Sequence, residues 1–423
     1  MPRPAFGIDF GTSNSTVAVQ QEEEALLLAL EGAHLNIPSA VFFEAGGGRA
    51  HFGRQAIERY VADHGGRFMR SMKSLLGSSL TNDKTRIGAR YYTFGEIIGL
   101  FLGHLKRSAE AQLGEEVSAA VIGRPVFFVD GDAAADRAAE AALKAAALAQ
   151  GFAHVEFQFE PIAAALDYAR TCRNEELALV IDAGGGTSDF SLVNVSPQSG
   201  MQRADSGAVL ASHGVHIGGT DFDRAFNLAA AMPSLGHGSL ISSEFGLGQS
   251  RPAPAHHFAE LATWHRINLQ YAPKNIADVR ALLRTSHAPK KIEKLLNVLE
   301  NRRGHEIAMA VEAAKIHLTD AAVSAIKMPS DAAPEFIEVS REDLRQSIAE
   351  MILQLREALN ETLLLAQVDG GKVQTIFLTG GSTALPLLRD NLTALLPQAK
   401  VVKGDMFGSV GKGLAIDARR RFG

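Results

Sequence analysis

Two glycine-threonine turns, each led by an aspartate, carry the residue types best suited to chemistry. They are Asp9-Phe10-Gly11-Thr12-Ser13 and Asp182-Ala183-Gly184-Gly185-Gly186-Thr187-Ser188-Asp189. Such a turn lets backbone N–H groups converge on an anion, because glycine has no Cβ to block the approach. Two of them facing each other would grip a polyphosphate from both sides. Asp9 and Asp182 would then hold a hydrated cation, since magnesium takes one or two carboxylates together with waters and phosphate oxygens. The hydroxyls of Thr12, Ser13, Thr187 and Ser188 can bond phosphate oxygens or position a water; their plain alternative is to cap the turn's own amides. One Asp-Gly turn alone would read as a turn former at a strand end. Two in the same setting, with a third acid at Asp189, favour a nucleotide clamp.

The elements that must position these turns are legible as well. Each turn follows a short apolar run (residues 6–8 and 177–181) and precedes another (16–19 and 190–193), which spells strand, turn, strand twice. This short repeat suggests two related halves. Residues 37–43 read as a strand entered through Pro38, where a strand tolerates proline, and Gly46-Gly47-Gly48 as a plain hairpin turn. Residues 53–76 read as mixed helix and loop, 94–113 as a helix and 117–129 as a buried strand. Asp132 caps a helix that runs to Gln150, with Gly151 past its end. A strand at 155–159 leads into an alanine-rich helix at 161–170. In the second half, 218–223 turns into a helix, and 232–256 reads as a loop, the best candidate for a mobile insertion. Helices are expected to about residue 327, then a strand at 336–339 and a long helix begun by a capping-box-like Ser340. A strand at 375–378 runs into Gly380-Gly381-Ser382, which could bring backbone against a base and sugar. Residues 409–420 form a small-residue helix with a basic end. Alternating strands and helices make this an α/β protein.

Bulk properties exclude other classes. With 423 residues the chain has room for two lobes. Its net charge of −5 argues against nonspecific binding to nucleic acid, which needs a basic face. Cys172 is the only cysteine, so a reducing compartment fits. No run approaches the roughly 20 apolar residues of a membrane span. The first residues lead straight into a strand, without a signal-type cleavage site. A cytoplasmic protein with neither nucleic-acid nor membrane partners is expected. His256, His257 and His265 lack a partner set with ligand spacing and read as surface residues.

Taken together, the motifs resemble the nucleotide-binding domain of the 70-kDa heat-shock chaperone family, within the actin, sugar-kinase and heat-shock superfamily. Residues 7–15 resemble its first phosphate loop and 182–189 its second. Residues 160–166 are similar to the connector between lobes, and Gly218-Gly219-Thr220-Asp221-Phe222-Asp223 to the family's GGxDFD turn. Residues 378–386 resemble the adenosine motif, and Asp405 with 411–415 the second connector. The short length looks most like the YegD-like branch.

The resemblance implies a two-lobed actin-like ATPase fold, each lobe a ribonuclease-H-like core with an inserted subdomain. Lobe I would cover residues 1–176, with its insertion at about 35–115. Lobe II would cover 177–423, with an enlarged insertion at about 224–310 and a connector helix at 409–420 touching lobe I. Mg2+ and ATP or ADP would bind between the lobes, at Gly11, Thr12, Ser13, Asn14, Gly184, Gly185, Gly186, Gly218, Gly219, Gly380, Gly381, Ser382 and Asp405. Glu312 and Lys315 match positions facing the ribose. Asp9, Asp182, Thr187 and Asp189 would be catalytic, with Thr187 or Asp189 orienting the attacking water. Small-residue connectors would let the lobes shear with nucleotide state.

Departures from the family pattern temper the activity. The lysine expected after a GDAAK-like turn is replaced by Ile57, and the adenine-stacking arginines by Ile316 and Ala384. Losing a cation costs phosphoryl transfer orders of magnitude, so weak hydrolysis is expected. A protein lacking a peptide-binding domain is expected, with a protein partner or client on the lobe II insertion. Two alternatives stay open: a nucleotide-gated interaction module without significant ATPase activity, and a small-molecule kinase of the same superfamily.

Overall fold

The computed structural model describes residues 4–22, 24–62, 65–77, 83–129, 131–197, 209–242, 250–330, 333–405 and 408–423. The chain divides into two compact units. One comprises Met1–Gly218, Gln354–Ala384 and Leu388–Gly423, the other Gly219–Leu353 and Leu385–Leu387.

The first unit is built on two sheets that share one order. In the larger, Glu24–Leu27, Asn14–Gln21, Phe6–Phe10, Ala119–Arg124 and His154–Phe159 lie side by side, with Ile37–Pro38 added beside Asn14–Gln21. In the other, the sequence is Val209–Val215, Ser188–Val195, Glu176–Ala183, Thr375–Thr379 and Lys400–Lys403. Each has two antiparallel pairings followed by two parallel ones. Each therefore places an aspartate-led turn between its third and second strands: Asp9 and Asp182 each lie one residue from the end of a third strand. The repeat read in the sequence is a repeat of topology.

Between the sheets run two small-residue helices, Glu160–Ala169 and Ser409–Phe422, and their alanines form one core with Val121, Val180 and Leu414. Small residues are required there by distance. A Cβ on Gly413 would stand 1.7 Å from the Ala163 carbonyl oxygen, and one on Gly7 would stand 2.2 Å from the Ala415 nitrogen. On its other face the larger sheet is covered by the helices Phe94–Leu113 and Ala133–Leu148 through Phe10, Ile98, Phe101 and Leu143. Both helices start on the caps their sequences specify: a complete capping box at Thr93 and Glu96, and the Asp132 carboxylate accepting from Ala134 and Ala135.

The second unit is mainly helical, with Gly219–Phe226, Ala255–Leu261, Pro273–Thr285, Pro289–Glu300 and Gly304–His317 around buried Phe222, Phe226, Phe258, Ile292 and Ile307. It also holds the hairpin Val323–Met328 with Glu335–Ser340 and the start of the long helix Arg341–Leu365.

Several expected boundaries are corrected. The buried strand at 117–129 is only Ala119–Arg124, because Pro125 cannot donate to a ladder. The strand at 37–43 is broken at Ser39, which leaves the ladder to brace the first turn. Residues 53–76 hold a strand, Gly66–Arg70, paired with Ala40–Glu44. Helices stop at His317, and Val323–Met328 is extended. The loop expected at 232–256 contains the short helix Met232–Leu235 and the pair Leu240–Ile241 with Arg251–Pro252; residues 243–249 lie outside those described. Among the described residues no helix is long and apolar enough to cross a membrane.

Candidate functional site

The first turn is shaped by a hydroxyl network. The Ser39 hydroxyl donates to the Gly11 carbonyl at 2.6 Å and lies 2.9 Å from the Ser15 hydroxyl, while the Ser39 amide donates to the Ser13 carbonyl at 2.9 Å. Gly11 lies so close to Asn14 that a Cβ would sit 2.2 Å from the Asn14 carbonyl oxygen. The second turn is closed by the Gly184 amide donating to the Thr187 carbonyl at 2.9 Å. Ser382 holds it from one side, its hydroxyl donating to the Gly184 carbonyl at 2.8 Å. Ser188 ties it to the segment before Gly218 through the Ile217 carbonyl, also at 2.8 Å.

Glycine is obligatory where these segments meet. Gly380 adopts φ +80, and a Cβ there would lie 2.4 Å from the Ala183 carbonyl oxygen and 2.5 Å from Asp182 Oδ1. Gly218 presses on the Gly185 backbone at 2.5 Å by the same measure. The two turns themselves meet face to face. A Cβ on Gly185 would fall 1.7 Å from Ser13 Oγ, and one on Gly186 would fall 3.1 Å from Thr12 Cγ2. Ser13 Oγ is buried there without a hydrogen-bond partner among the described residues. A buried hydroxyl left unpaired is costly unless something else accepts it.

Asp9 and Asp182, both half-buried, thus come together closely enough that the Asp9 charge raises the Asp182 carboxyl. Two residues not expected in the site stand with them, Lys73 and Glu160, the latter read from the sequence only as the start of a connector. Lys73, in the short helix Met72–Leu75, donates to Glu160 Oε1 at 2.5 Å, and both side chains are largely buried. Burial and then the Glu160 charge push the Asp9 carboxyl up to about 7, with Lys73 opposing. Asp182 is raised well above the usual carboxylate range by burial, then by Glu160, Asp189 and Asp9. Burial works to lower the Lys73 ammonium, but Glu160, Asp9 and Asp182 outweigh it and hold the group above its usual value. Three acids share one lysine, so the cluster is short of positive charge.

That donor set fits a hydrated divalent cation. Two half-buried carboxylates with elevated affinity for protons would exchange them for a metal, and Mg2+ needs no more than one or two. Among the described residues no three His, Cys, Asp or Glu side chains converge as a complete metal cage, which is compatible with a metal that keeps most of its waters.

The expectation of a missing lysine is overturned. Ile57 packs against the small core of Ala40, Phe42 and Ala56, and the cation beside the aspartates comes from Lys73. Its signal in the sequence was a single lysine inside the apolar stretch 72–76. Asp189 pairs opposite Asp182 in the hairpin, and Thr187 closes the turn. Asp405 stands just before the helix Ser409–Phe422, where its carboxylate takes a 3.0 Å ion pair from Lys412 and its amide donates to Ser409 Oγ. In the second unit, Lys315 is buried, 2.7 Å from Asp223 Oδ1 and 3.1 Å from the Gly219 carbonyl. It pins the helix Gly219–Phe226 to Gly304–His317, the helix that carries half-buried Glu312.

A family model described as Hsp70 protein matches residues 5–230 and 284–419. The chain belongs to the Hsp70 family. Both aspartate-led turns, Lys73, Glu160, Gly218, Lys315 and Gly380 fall inside the two matched stretches of this Hsp70 chain, whose family supports ATP binding and a chaperone-like function. Residues 231–283 lie between those stretches, within the span where extra length was expected.

Proposed function

We propose that this Hsp70-family chain binds Mg-ATP on its two glycine turns and hydrolyses it. The observation that carries the reading is the meeting of Ser13 with Gly185 beside the Asp9, Asp182, Glu160 and Lys73 cluster. In this account residues 1–176 and 177–423 form two lobes that each contribute one turn. Amides of Gly11, Thr12, Ser13 and Asn14 and of Gly184, Gly185 and Gly186 bind phosphate oxygens, and the Ser13 hydroxyl donates to one of them. Asp9 and Asp182 hold Mg2+ through its waters; the metal, when bound, neutralises phosphate charge and orients the phosphates.

The chain's own groups supply the rest. Lys73 keeps an ammonium, charged by its three acidic neighbours, beside the transferring phosphoryl group, and Glu160 fixes where it points. Asp189 or Thr187 orients the attacking water. Gly218, Gly380, Gly381 and Ser382 bring backbone against the rest of the nucleotide. With Lys73 in place, the reason for expecting weak turnover, or a purely gated module, is removed.

Lys73→Met tests the reading, since methionine keeps the stem and deletes the charge. Single-turnover ATP hydrolysis should fall about 10²–10³-fold, as when one stabilising group is lost from a transition state, while Mg-ATP affinity changes by less than about tenfold. Unchanged turnover in the variant would remove Lys73 from the mechanism.

A further inference from the structure

The strand His154–Phe159 ends the larger sheet, so one side of its backbone has no strand neighbour among the described residues. Beside it lies a cavity of about 300 Å3, with walls from Arg124, Lys144, Arg421 and Glu140 and from Glu156 to Phe159 of the strand. None of these groups belongs to the phosphate-binding cluster.

The cations in the wall differ in availability. Arg124 is fully engaged: it lies over the rings of Phe128 and Phe159 at 5.0 and 5.3 Å and bonds both Asp136 oxygens at 2.9 and 2.7 Å. Arg421 pairs with Glu156 at 2.5 Å and Asp417 at 2.6 Å. Lys144, exposed on the helix Ala133–Leu148, has no carboxylate partner among the described residues.

Size and charge select the occupant. Small-molecule sites span about 300–1,000 Å3, so this cavity is at the bottom of the range and takes one or two side chains rather than a whole cofactor. Glu140 and Glu156 in the wall repel a polyanion, which disfavours nucleic acid or an oligophosphate. A single carboxylate reaching Lys144 meets an unmatched cation. A free strand edge takes up an extended peptide through main-chain hydrogen bonds, with neighbouring pockets reading its side chains.

We propose that the edge of His154–Phe159 and this cavity form a docking groove for an extended segment of a partner protein, which pairs along the strand and directs one acidic side chain to Lys144. The edge is six residues long and carries Glu156, which discourages pairing between copies of the chain itself.

The test uses the whole chain without nucleotide, so its outcome is independent of the ATP reading. Fluorescein-labelled acetyl-TVTEVTV-amide is titrated by anisotropy, beside the same peptide with glutamine for glutamate, and amide exchange is followed across residues 154–159. Saturable binding tighter than about 1 mM is expected, weakened about tenfold or more by the glutamine peptide and by Lys144→Glu, with protection of the strand amides. Lys144 is exposed, so a circular dichroism melt should show the variant folded. No saturation by about 1 mM, indifference to Lys144→Glu, or binding without protection of 154–159 would each overturn the proposal.

Discussion

At Lys73 two forces oppose each other. Burial disfavours an ammonium, while Glu160, Asp9 and Asp182 favour it, and the acids win. The same burial leaves Asp9 near neutral pH in its protonation, so proton and metal compete for one site. Buried histidine in the second unit follows the reverse logic. His305 is held down at about 4 by desolvation, against a 3.3 Å hydrogen bond to the Trp264 carbonyl. Its folded value lies below its unfolded one, so the unfolded chain takes up the extra proton. Stability is therefore full above about 6.5 and is lost as pH falls towards about 4, by on the order of 3 kcal/mol for the 6.5-to-4 shift. Buried His257 adds in the same sense, and exposed His265 more weakly. Urea unfolding followed by Trp264 fluorescence between pH 4 and 7 should show this slope, and His305→Phe should flatten it; an equal slope in the variant would contradict the assignment. Asp9 and Asp182 were legible because each leads a repeated glycine turn. Lys73 was not, and Glu160 was legible only as the start of a connector, since their contact joins positions 87 residues apart.

Among elements, the helix pair Glu160–Ala169 and Ser409–Phe422 is the most constrained. With 1.7 Å between a Gly413 Cβ and the Ala163 carbonyl oxygen, one methyl group must force the helices apart, because backbone cannot rotate away as a side chain does. Gly413→Ala should cost about 1–3 kcal/mol or more of stability, read as a lower urea midpoint at unchanged m-value. Gly408→Ala is no substitute, because it meets the Asp405 carboxylate rather than the facing helix. Elements with strong local signals were read well from sequence. The caps at Asp132 and Ser340 fix helix starts to within a residue, the latter with Asp343 returning to the Ser340 amide at 2.8 Å. Gly66–Arg70 was missed because its burial is one-sided and its pairing partner, Ala40–Glu44, is supplied from a distance. The strand at 37–43 was drawn too long because Ser39's role depends on Gly11 and Ser13, which no local pattern discloses.

At the scale of the molecule, the two sheets with one strand order explain why two distant turns carry the same motif. Each sheet delivers its aspartate to the same relative place, and the helices between them set the distance. This symmetry was legible only as two short strings in the sequence; the shared topology extends it to the five-strand order of both sheets. The segment 231–283 gave no such signal, and its helices Ala255–Leu261 and Pro273–Thr285 are held by contacts of its own unit. The central claim is that opposed turns and the paired aspartates bind a metal-bound triphosphate. Calorimetric titration of ATP into the whole chain, with Mg2+, with EDTA, and with Asp182→Asn, tests it most directly. The account predicts one saturable site with Mg2+, and a loss of about tenfold or more in affinity with EDTA or in the variant. Absence of heat with Mg-ATP, or the same affinity under all three conditions, would contradict it.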